Sequence, residues 1–425
     1  MMEFITLSEK EFTEFEEKHV LGSFYQTVKW GKLKEYNGWK YFLVGVKENK
    51  KIIGASLILK KKIFSKLSII YAPRGFLIDY NNDELLKFFT NNIKKFAKKE
   101  HAIFVKIDPT IIYKERDREG KIIVDGIDNS NIIYKLKKFG YKCDSSNLQP
   151  RFVFTLSVKN KTSHELFEAM ENTTKQIIRK NNNLGLNIRE LKKEELNIFK
   201  DVMQKTADRR GFIDRPLSYY EHMYDIFGKD MKILVAEVNI KEYIDNSKKE
   251  LEEQNNKIKE LEESLNNERV NVKKINNKIK EINFIINSLN KKINKYEKIY
   301  KDNKKDVLIL GALMFIMHSK EILSLFGGAY GEYREFMPAY YLNWHMIEYS
   351  ALNGYHKYNF YGIDEFTNKD DPMYGLYDFK RGFNGVVEEY IGEYNLITSK
   401  FWFFVYNFIY GKVYTKLKSI KIKKN

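Results

Sequence analysis

Met231-Lys-Ile-Leu-Val-Ala-Glu-Val238 and Val307-Leu-Ile-Leu-Gly-Ala-Leu-Met314 are apolar runs of strand length. Between them, Ile244, Leu251, Ile258, Leu265, Val272, Ile279, Ile286 and Ile293 fall seven apart. A second row, three positions later, holds Leu261, Ile275, Ile282, Leu289 and Tyr296. The remainder is mostly Lys, Glu and Asn, with neither Gly nor Pro. A heptad seam sustained this long predicts a coiled coil. One straight helix from Lys241 to Asp306 would carry the chain about 90 Å away at 1.5 Å per residue. The flanking runs, however, read as neighbours in one sheet, so the insert must leave and return. The expectation is an antiparallel helical hairpin with arms of about 40 Å and a tip near Asn266 to Val272. Its outgoing arm is rich in Glu and its returning arm in Lys, which suits pairing across the seam. A dimerising coil is the alternative, but an arm planted inside a domain more often reaches for a large partner.

Outside the insert, 425 residues suffice for two or three domains, and 43% hydrophobic content supports real cores. The net charge of +17 favours anionic partners: nucleic acid, phosphorylated ligands or an anionic membrane surface. The Lys, Asn and Ile abundance also fits a low-GC coding bias, which weakens the charge argument. Cys143 is the single cysteine, so no internal disulfide forms, and a reducing cytosol is expected. Met1 to Leu21 is acidic and amphipathic, unlike a secretory signal. No apolar run reaches the ~20 residues of a membrane span. The oligomeric state is not legible.

Strands and helices alternate on both sides of the insert. Three strands, a Gly-containing turn, a helix and a strand ending in Ile-Asp occur twice. The first copy closes on Phe104-Val-Lys-Ile-Asp108 and the second on Phe360-Tyr-Gly-Ile-Asp364. This order predicts an α/β (α+β) chain of two acyltransferase-like units. Residues 1–155 form the first, and 156–240 with 307–400 the second. The arm takes 241–306 and an aromatic, basic tail takes 401–425. Neither half has the Gly-x-Gly/Ala phosphate loop of an acetyl-CoA site, so a coenzyme A thioester is not expected as donor.

Metal chemistry has little support: the histidines are scattered, His-Glu-x-x-His is missing, and one cysteine cannot build a zinc site. The candidates are cations and carboxylates near turns. Lys34 closes Gln26-Thr-Val-Lys-Trp-Gly-Lys-Leu-Lys34; a solvated lysine is its alternative. Thr206-Ala-Asp-Arg-Arg-Gly-Phe-Ile-Asp-Arg215-Pro216 gathers three arginines around a turn, either a phosphate clamp or a loop of ion pairs. Asp108 ends a strand before Pro109, where ligands of open α/β sheets often sit, though an Asp there also caps turns. Phe379-Lys380, flanked by glycines, could put a cation at a substrate; a hairpin with exposed lysines is the alternative.

Tyr71-Ala-Pro-Arg-Gly75, the 206–216 segment, Phe379-Lys-Arg-Gly-Phe383 and Glu389-Tyr-Ile-Gly-Glu393 together resemble the Fem family. Its members are aminoacyl-tRNA-dependent transferases that build peptidoglycan interpeptide bridges. The resemblance runs from about Phe4 to beyond Tyr394. It implies two acetyltransferase-like (GNAT) domains, the arm emerging from the second, and transfer of an amino acid from tRNA to a stem-peptide amine. The acceptor is lipid II or its UDP-linked counterpart, and the place is the cytoplasm, peripherally at the inner membrane face.

The resemblance places precursor diphosphate contacts on Lys34 and on an arginine of the 206–215 motif, with Arg209 first and Arg215 second. It adds Tyr71 and Arg74 to the substrate-binding set. It sets Phe379 and Lys380 at the acyl-transfer centre and makes Asp108 a candidate base. The ester donor needs no cofactor or metal for energy. Lys380 would stabilise charge growing on the carbonyl oxygen, and the reading puts Lys34, Arg209 and Lys380 in one cleft. Lys273, Lys274, Lys278 and Lys280 on the arm would meet tRNA phosphates, or merely face solvent. The tail, Lys400-Phe-Trp-Phe-Phe-Val-Tyr-Asn-Phe-Ile-Tyr410 with lysines through Lys424, suits docking on an anionic bilayer; a core helix with a basic end is the alternative.

Overall fold

Residues 1–146, 148–266 and 271–409 are described by a computed structural model, and among them two sheets carry the fold. The strands of the first half are β1 (Met2–Thr6), β2 (Lys40–Glu48), β3 (Lys51–Phe64), β4 (Leu67–Ala72), β5 (Ala102–Ile107), β6 (Ile112–Glu115) and β7 (Tyr141–Asp144). Then follow β8 (Phe152–Ser157), β9 (Asn187–Glu190), β10 (Met231–Asn239), β11 (Val307–His318), β12 (Glu321–Ala329), β13 (Lys357–Gly362), β14 (Val386–Tyr390) and β15 (Glu393–Ile397). The first sheet runs β1-β2-β3-β4-β5-β15-β7 and the second β6-β14-β8-β13-β12-β11-β10-β9.

The repeat read from the sequence is present in the topology. β2, β3 and β4 pair antiparallel, the helix Asp83–Lys99 crosses over, and β5 returns parallel to β4. In the second half β10, β11 and β12 pair antiparallel, the helix Pro338–Leu352 crosses over, and β13 returns parallel to β12. The first crossover helix starts at an Asn82 side-chain cap and buries Leu85, Leu86, Phe89, Ile93 and Ala97, which share one face. The second has Pro338 at its start, where the missing N–H costs nothing.

The two parallel pairs differ at their carboxyl ends. β4 and β5, after one register shift between Ser68 and Ile70, pair through to Ala72 and Ile107. β12 and β13 pair only from Glu321 and Lys357 to Leu323 and Asn359, and then part. An opening is thus wedged into the second sheet and not the first.

The boundary expected near residue 155 falls inside β8, a strand of the second sheet. β6, from the first half, pairs with β14 in the second sheet, while β15 inserts between β5 and β7 in the first. The halves therefore exchange strands, and Gly392, with φ of +92°, allows the passage from β14 to β15. One apolar cluster joins them: Phe24, Tyr25, Trp30 and Leu59 pack with Phe199, Tyr220, Met223, Ile233 and Leu323. Across the same junction, buried Glu16 meets His318 at 2.7 Å.

The insert is two helices, Ile240–Ser264 and Val272–Asn303, rising about 38 and 48 Å at 1.5 Å per residue. Ile240 N–H donates to the Asp306 carbonyl at 2.8 Å, so the chain returns where it left. Tyr243 and Tyr296 meet at 5.1 Å, and Ile244, Leu289 and Ile293 are buried in the lower seam. Part of the expected tip, 267–270, lies outside the described residues. Among the described residues one ion pair joins the arms, Lys248 with Glu297 at 2.6 Å, opposite in polarity to the Glu-out, Lys-back pairing expected.

Candidate functional site

Thr27 caps the helix Val28–Glu35 by accepting from the Trp30 N–H. Trp30 and Lys34 are four apart and share a face, so the Lys34 ammonium lies 4.2 Å over the indole ring. Lys34 is half-buried. Burial first, then the cations Arg215 and Lys61, bring its amine down to about 8.

Arg215 and Arg209 have different surroundings. The helix Leu196–Arg210 stops at Gly211, whose φ is +76°. Arg209, in its last turn, is exposed and donates to the Ala329 carbonyl at 3.0 Å, at the end of β12. Arg215 lies beyond the stop, its guanidinium stacked 4.6 Å from Phe326 and 5.1 Å from Tyr219. Of the two, it is the charge of Arg215 that is felt at Lys34.

The first and second halves meet at Tyr361, a residue the sequence reading passed over within a strand. Its φ is +67°, uncommon for a bulky side chain. It sits where β13 shifts register against β8, just past the parting of β12 and β13. Its hydroxyl is 2.9 Å from that of Tyr25 and donates to Gln149 Oε1 at 2.8 Å. Its side chain feels Arg74, Asp108 and Arg215 electrostatically. Its carbonyl, at 3.3 Å, and that of Gly362, at 2.6 Å, accept from the Lys380 amine.

Lys380 is on a helix, Tyr374–Arg381, and not on the exposed hairpin held open as its alternative. Tyr377 anchors that helix: it is buried, and its hydroxyl donates to the Arg118 carbonyl at 2.7 Å. Lys380 is 4% exposed. Burial pushes its amine down to about 7, with Asp364 pulling the other way. Phe379 packs against Tyr340 at 4.7 Å and Phe383 at 5.5 Å.

Asp108, the candidate base, is held at the turn that carries Arg74. One oxygen accepts from the Arg74 backbone N–H at 2.7 Å, and the other is 3.7 Å from the Arg74 guanidinium. Its carboxyl is buried beside Tyr71 and raised to about 7, chiefly by burial and against the pull of Arg74. It fastens the turn that holds Arg74 at φ +59°. Arg74 in turn lies 5.6 Å from the Tyr25 ring and 5.3 Å from the Tyr390 ring.

Between the halves lies a cavity of about 340 Å³, with Tyr25 and Arg74 on one side and Glu321, Lys357, Asn359, Tyr361 and Glu388 on the other. Lys357 is 3.3 Å from Glu321 and 3.5 Å from Glu388, whose charges hold its amine well above the usual lysine range despite burial. Lys34, Arg209 and Lys380 are not among the residues that line this cavity. Lys34 instead feels the charge of Arg215, and Lys380 reaches the backbone of Tyr361 from its own helix. The polar wall was readable from Lys357, Asn359 and Tyr361, which alternate with the apolar Tyr358 and Phe360. Lys273, Lys274, Lys278 and Lys280 are exposed on the returning arm.

The FemAB family model matches residues 7–411. The chain is 30% identical over 404 residues to "Aminoacyltransferase FemA" of Staphylococcus epidermidis, covering 92% of this chain and 95% of that one. Against the protein of the same name from Staphylococcus aureus it is 29% identical over 408 residues, covering 92% and 94%. Among solved structures, a crystal structure of FemX superposes with a TM-score of 0.71 at 26% identity, over 93% of this chain and 97% of that one. Two acetyltransferase-like units with a helical hairpin in the second are thus the architecture of an acyl-transferring enzyme, and the chain belongs to the FemAB family.

Proposed function

We propose that this protein moves an amino acid from aminoacyl-tRNA to the stem-peptide amine of a peptidoglycan precursor, building the interpeptide bridge at the inner face of the membrane. The observation that carries the reading is the Lys34–Arg215 pair. Two cations brought together against their own repulsion suit the diphosphate of a lipid-linked or nucleotide-linked precursor. The cavity beyond Tyr361 suits the peptide end. It sets two carboxylates, Glu321 and Glu388, against one lysine, while Arg74 is neutralised by Asp108. That surplus favours an ammonium group.

In this reading the acceptor amine attacks the ester carbonyl. A C–N bond forms, and the bond to the ribose oxygen breaks. Lys380, poised near 7, takes the proton released by the attacking nitrogen. Now an ammonium, it donates to the carbonyl oxygen as charge grows there, and the proton leaves with the ribose hydroxyl. Phe379 holds the helix that aims it. The arm lysines would grip tRNA phosphates, with salt-dependent affinity. A binding adaptor is the competing reading, but an adaptor gives no reason to bury a lysine to 4% exposure on two backbone carbonyls.

The test supplies tRNA charged with labelled small amino acids and a lipid-linked precursor, and follows the label. The native chain should transfer it. Lys380→Met should lose about 10²–10⁴-fold in kcat while binding tRNA normally. Lys380→Arg should be as inactive, since a guanidinium gives up no proton at neutral pH. Native kcat should rise through about pH 7, as the amine loses its proton. Undiminished transfer by Lys380→Met removes Lys380 from the reaction, and no transfer by the native chain to any such acceptor removes the reading.

A further inference from the structure

The segment after β15 turns into a helix over 400–409 that is apolar on more than one side. Its inner side is accounted for: Phe403 and Tyr406 each lie 5.4 Å from Phe104 of β5. Its outer side is exposed. Phe401, Phe404 and Phe408, at spacings of three and four, are 67%, 70% and 52% exposed, and Phe404 and Phe408 stack at 6.4 Å. Trp402 and Ile409 border an apolar groove of about 480 Å³, whose other wall is Ile63, Phe64 and Leu67 of the β3–β4 hairpin. Phe64, at the hairpin end, is 69% exposed. Aromatics exposed from two separate elements around one apolar groove form a patch of the kind soluble surfaces avoid.

Lysines dominate the charge on the hairpin. The hairpin carries Lys60, Lys61, Lys62 and Lys66, and among these Lys60 is spent on Glu100 at 2.6 Å. Lys40, Lys62, Lys66 and His101 line a basin beside the same hairpin. The lysines of the tail beyond 409 lie outside the described residues. No helix among the described residues is long and apolar enough to cross a membrane. Aromatic side chains ringed by lysines match the boundary of an anionic bilayer, where rings enter the interface and ammonium groups meet lipid phosphates.

We infer that the 400–409 helix and the β3–β4 hairpin form one seat on an anionic phospholipid surface. The seat continues toward the anion site: Lys61 of the hairpin lies 5.4 Å over the Trp39 ring and is one of the cations that depress Lys34. An acceptor whose diphosphate sits at the lipid surface is therefore presented beside Lys34 and Arg215. This deepens the transferase reading and rests on it only for the identity of that acceptor.

The experiment compares the native full chain with a Phe64→Ser, Phe404→Ser, Phe408→Ser variant. These rings are exposed, so the fold and its melting temperature should hold. Co-sedimentation uses phosphatidylglycerol vesicles, phosphatidylcholine vesicles and no vesicles, at low and high salt. The native chain should bind the anionic vesicles, release as salt rises, and bind the zwitterionic ones far less. The variant should bind about tenfold or more weakly. It should also lose transfer to vesicle-borne acceptor while keeping transfer to a nucleotide-linked, water-soluble one. Equal vesicle binding by variant and native chain overturns the inference. So does a native chain that ignores vesicles and instead dimerises through these rings in gel filtration. Vesicle binding without transfer to any acceptor sustains the seat and defeats only the transferase reading.

Discussion

At the residue scale, Lys34 shows how a charge can be placed for a ligand yet to arrive. Its amine, near 8, is free to lose its proton just above neutrality, while a bound diphosphate would hold that proton. Precursor affinity should therefore fall as pH rises through about 8, and binding near that pH should take up protons, which calorimetry in buffers of different ionisation enthalpy reads directly. Arg215→Ala should weaken precursor binding about tenfold or more and move the inflection upward, because one repelling cation is gone. Arg209→Ala should change neither. Equal effects from the two would return Arg209 to the site. The sequence did hold the signal that separates them. Arg210-Gly211 is a helix stop, which leaves Arg209 on the helix and Arg215 free in the loop before Pro216. Tyr361 was harder to foresee. Its left-handed backbone coincides with a register shift against β8, a strand far away in sequence, and its carbonyl accepts from Lys380.

At the scale of elements, the arm was the most legible feature, since a heptad is a purely local pattern and needs no knowledge of partners. Its base is a different matter. Tyr243, Ile244 and Tyr296 are buried with Phe336, and Lys295 and Tyr296 both reach Glu335, so the lower arm belongs to the core of the second half. Removing 252–286 and closing the gap with a short turn spares that base. The shortened protein should melt within a few degrees of the native one and lose at least about tenfold in apparent affinity for charged tRNA. Unchanged use of tRNA would make the exposed Lys273, Lys274, Lys278 and Lys280 an ordinary solvated face. The helix Tyr374–Arg381 was less legible because its glycines suggest turns. Gly375 instead faces open space, and Gly382 lies where a side chain would strike Thr174, so both are compatible with a helix and its end.

At the scale of the molecule, the twofold repeat could be read from order and periodicity, but the strand exchange could not. Which sheet claims β6, β8 or β15 depends on partners hundreds of residues away, and local pattern says nothing about that. Glu389-Tyr-Ile-Gly-Glu393 stood out as a motif without revealing that it carries the chain from one sheet to the other. The exchange makes a direct test. A chain ending at residue 392 lacks Tyr394 and Leu396, each 1% exposed and worth about 1.5–3 kcal/mol of burial. It also lacks Glu393, leaving Lys106 without the carboxylate at 3.1 Å and separating β7 from its sheet. Together these losses approach the whole stability of a typical domain, about 5–15 kcal/mol. That protein should show no cooperative melt by circular dichroism, whereas one ending at 409 should melt normally.

The position of β15 also dictates how such a chain can be made. β5 leaves the ribosome by residue 107, but the strand that lies beside it begins only at residue 393. At about 5–20 residues per second, that interval is tens of seconds. For all that time a half-built sheet presents a bare edge to the cytosol, with its neighbour β7 waiting on the far side. The first sheet cannot close until the last strand is made, so biogenesis should depend on holding factors that shield early intermediates until synthesis is almost over.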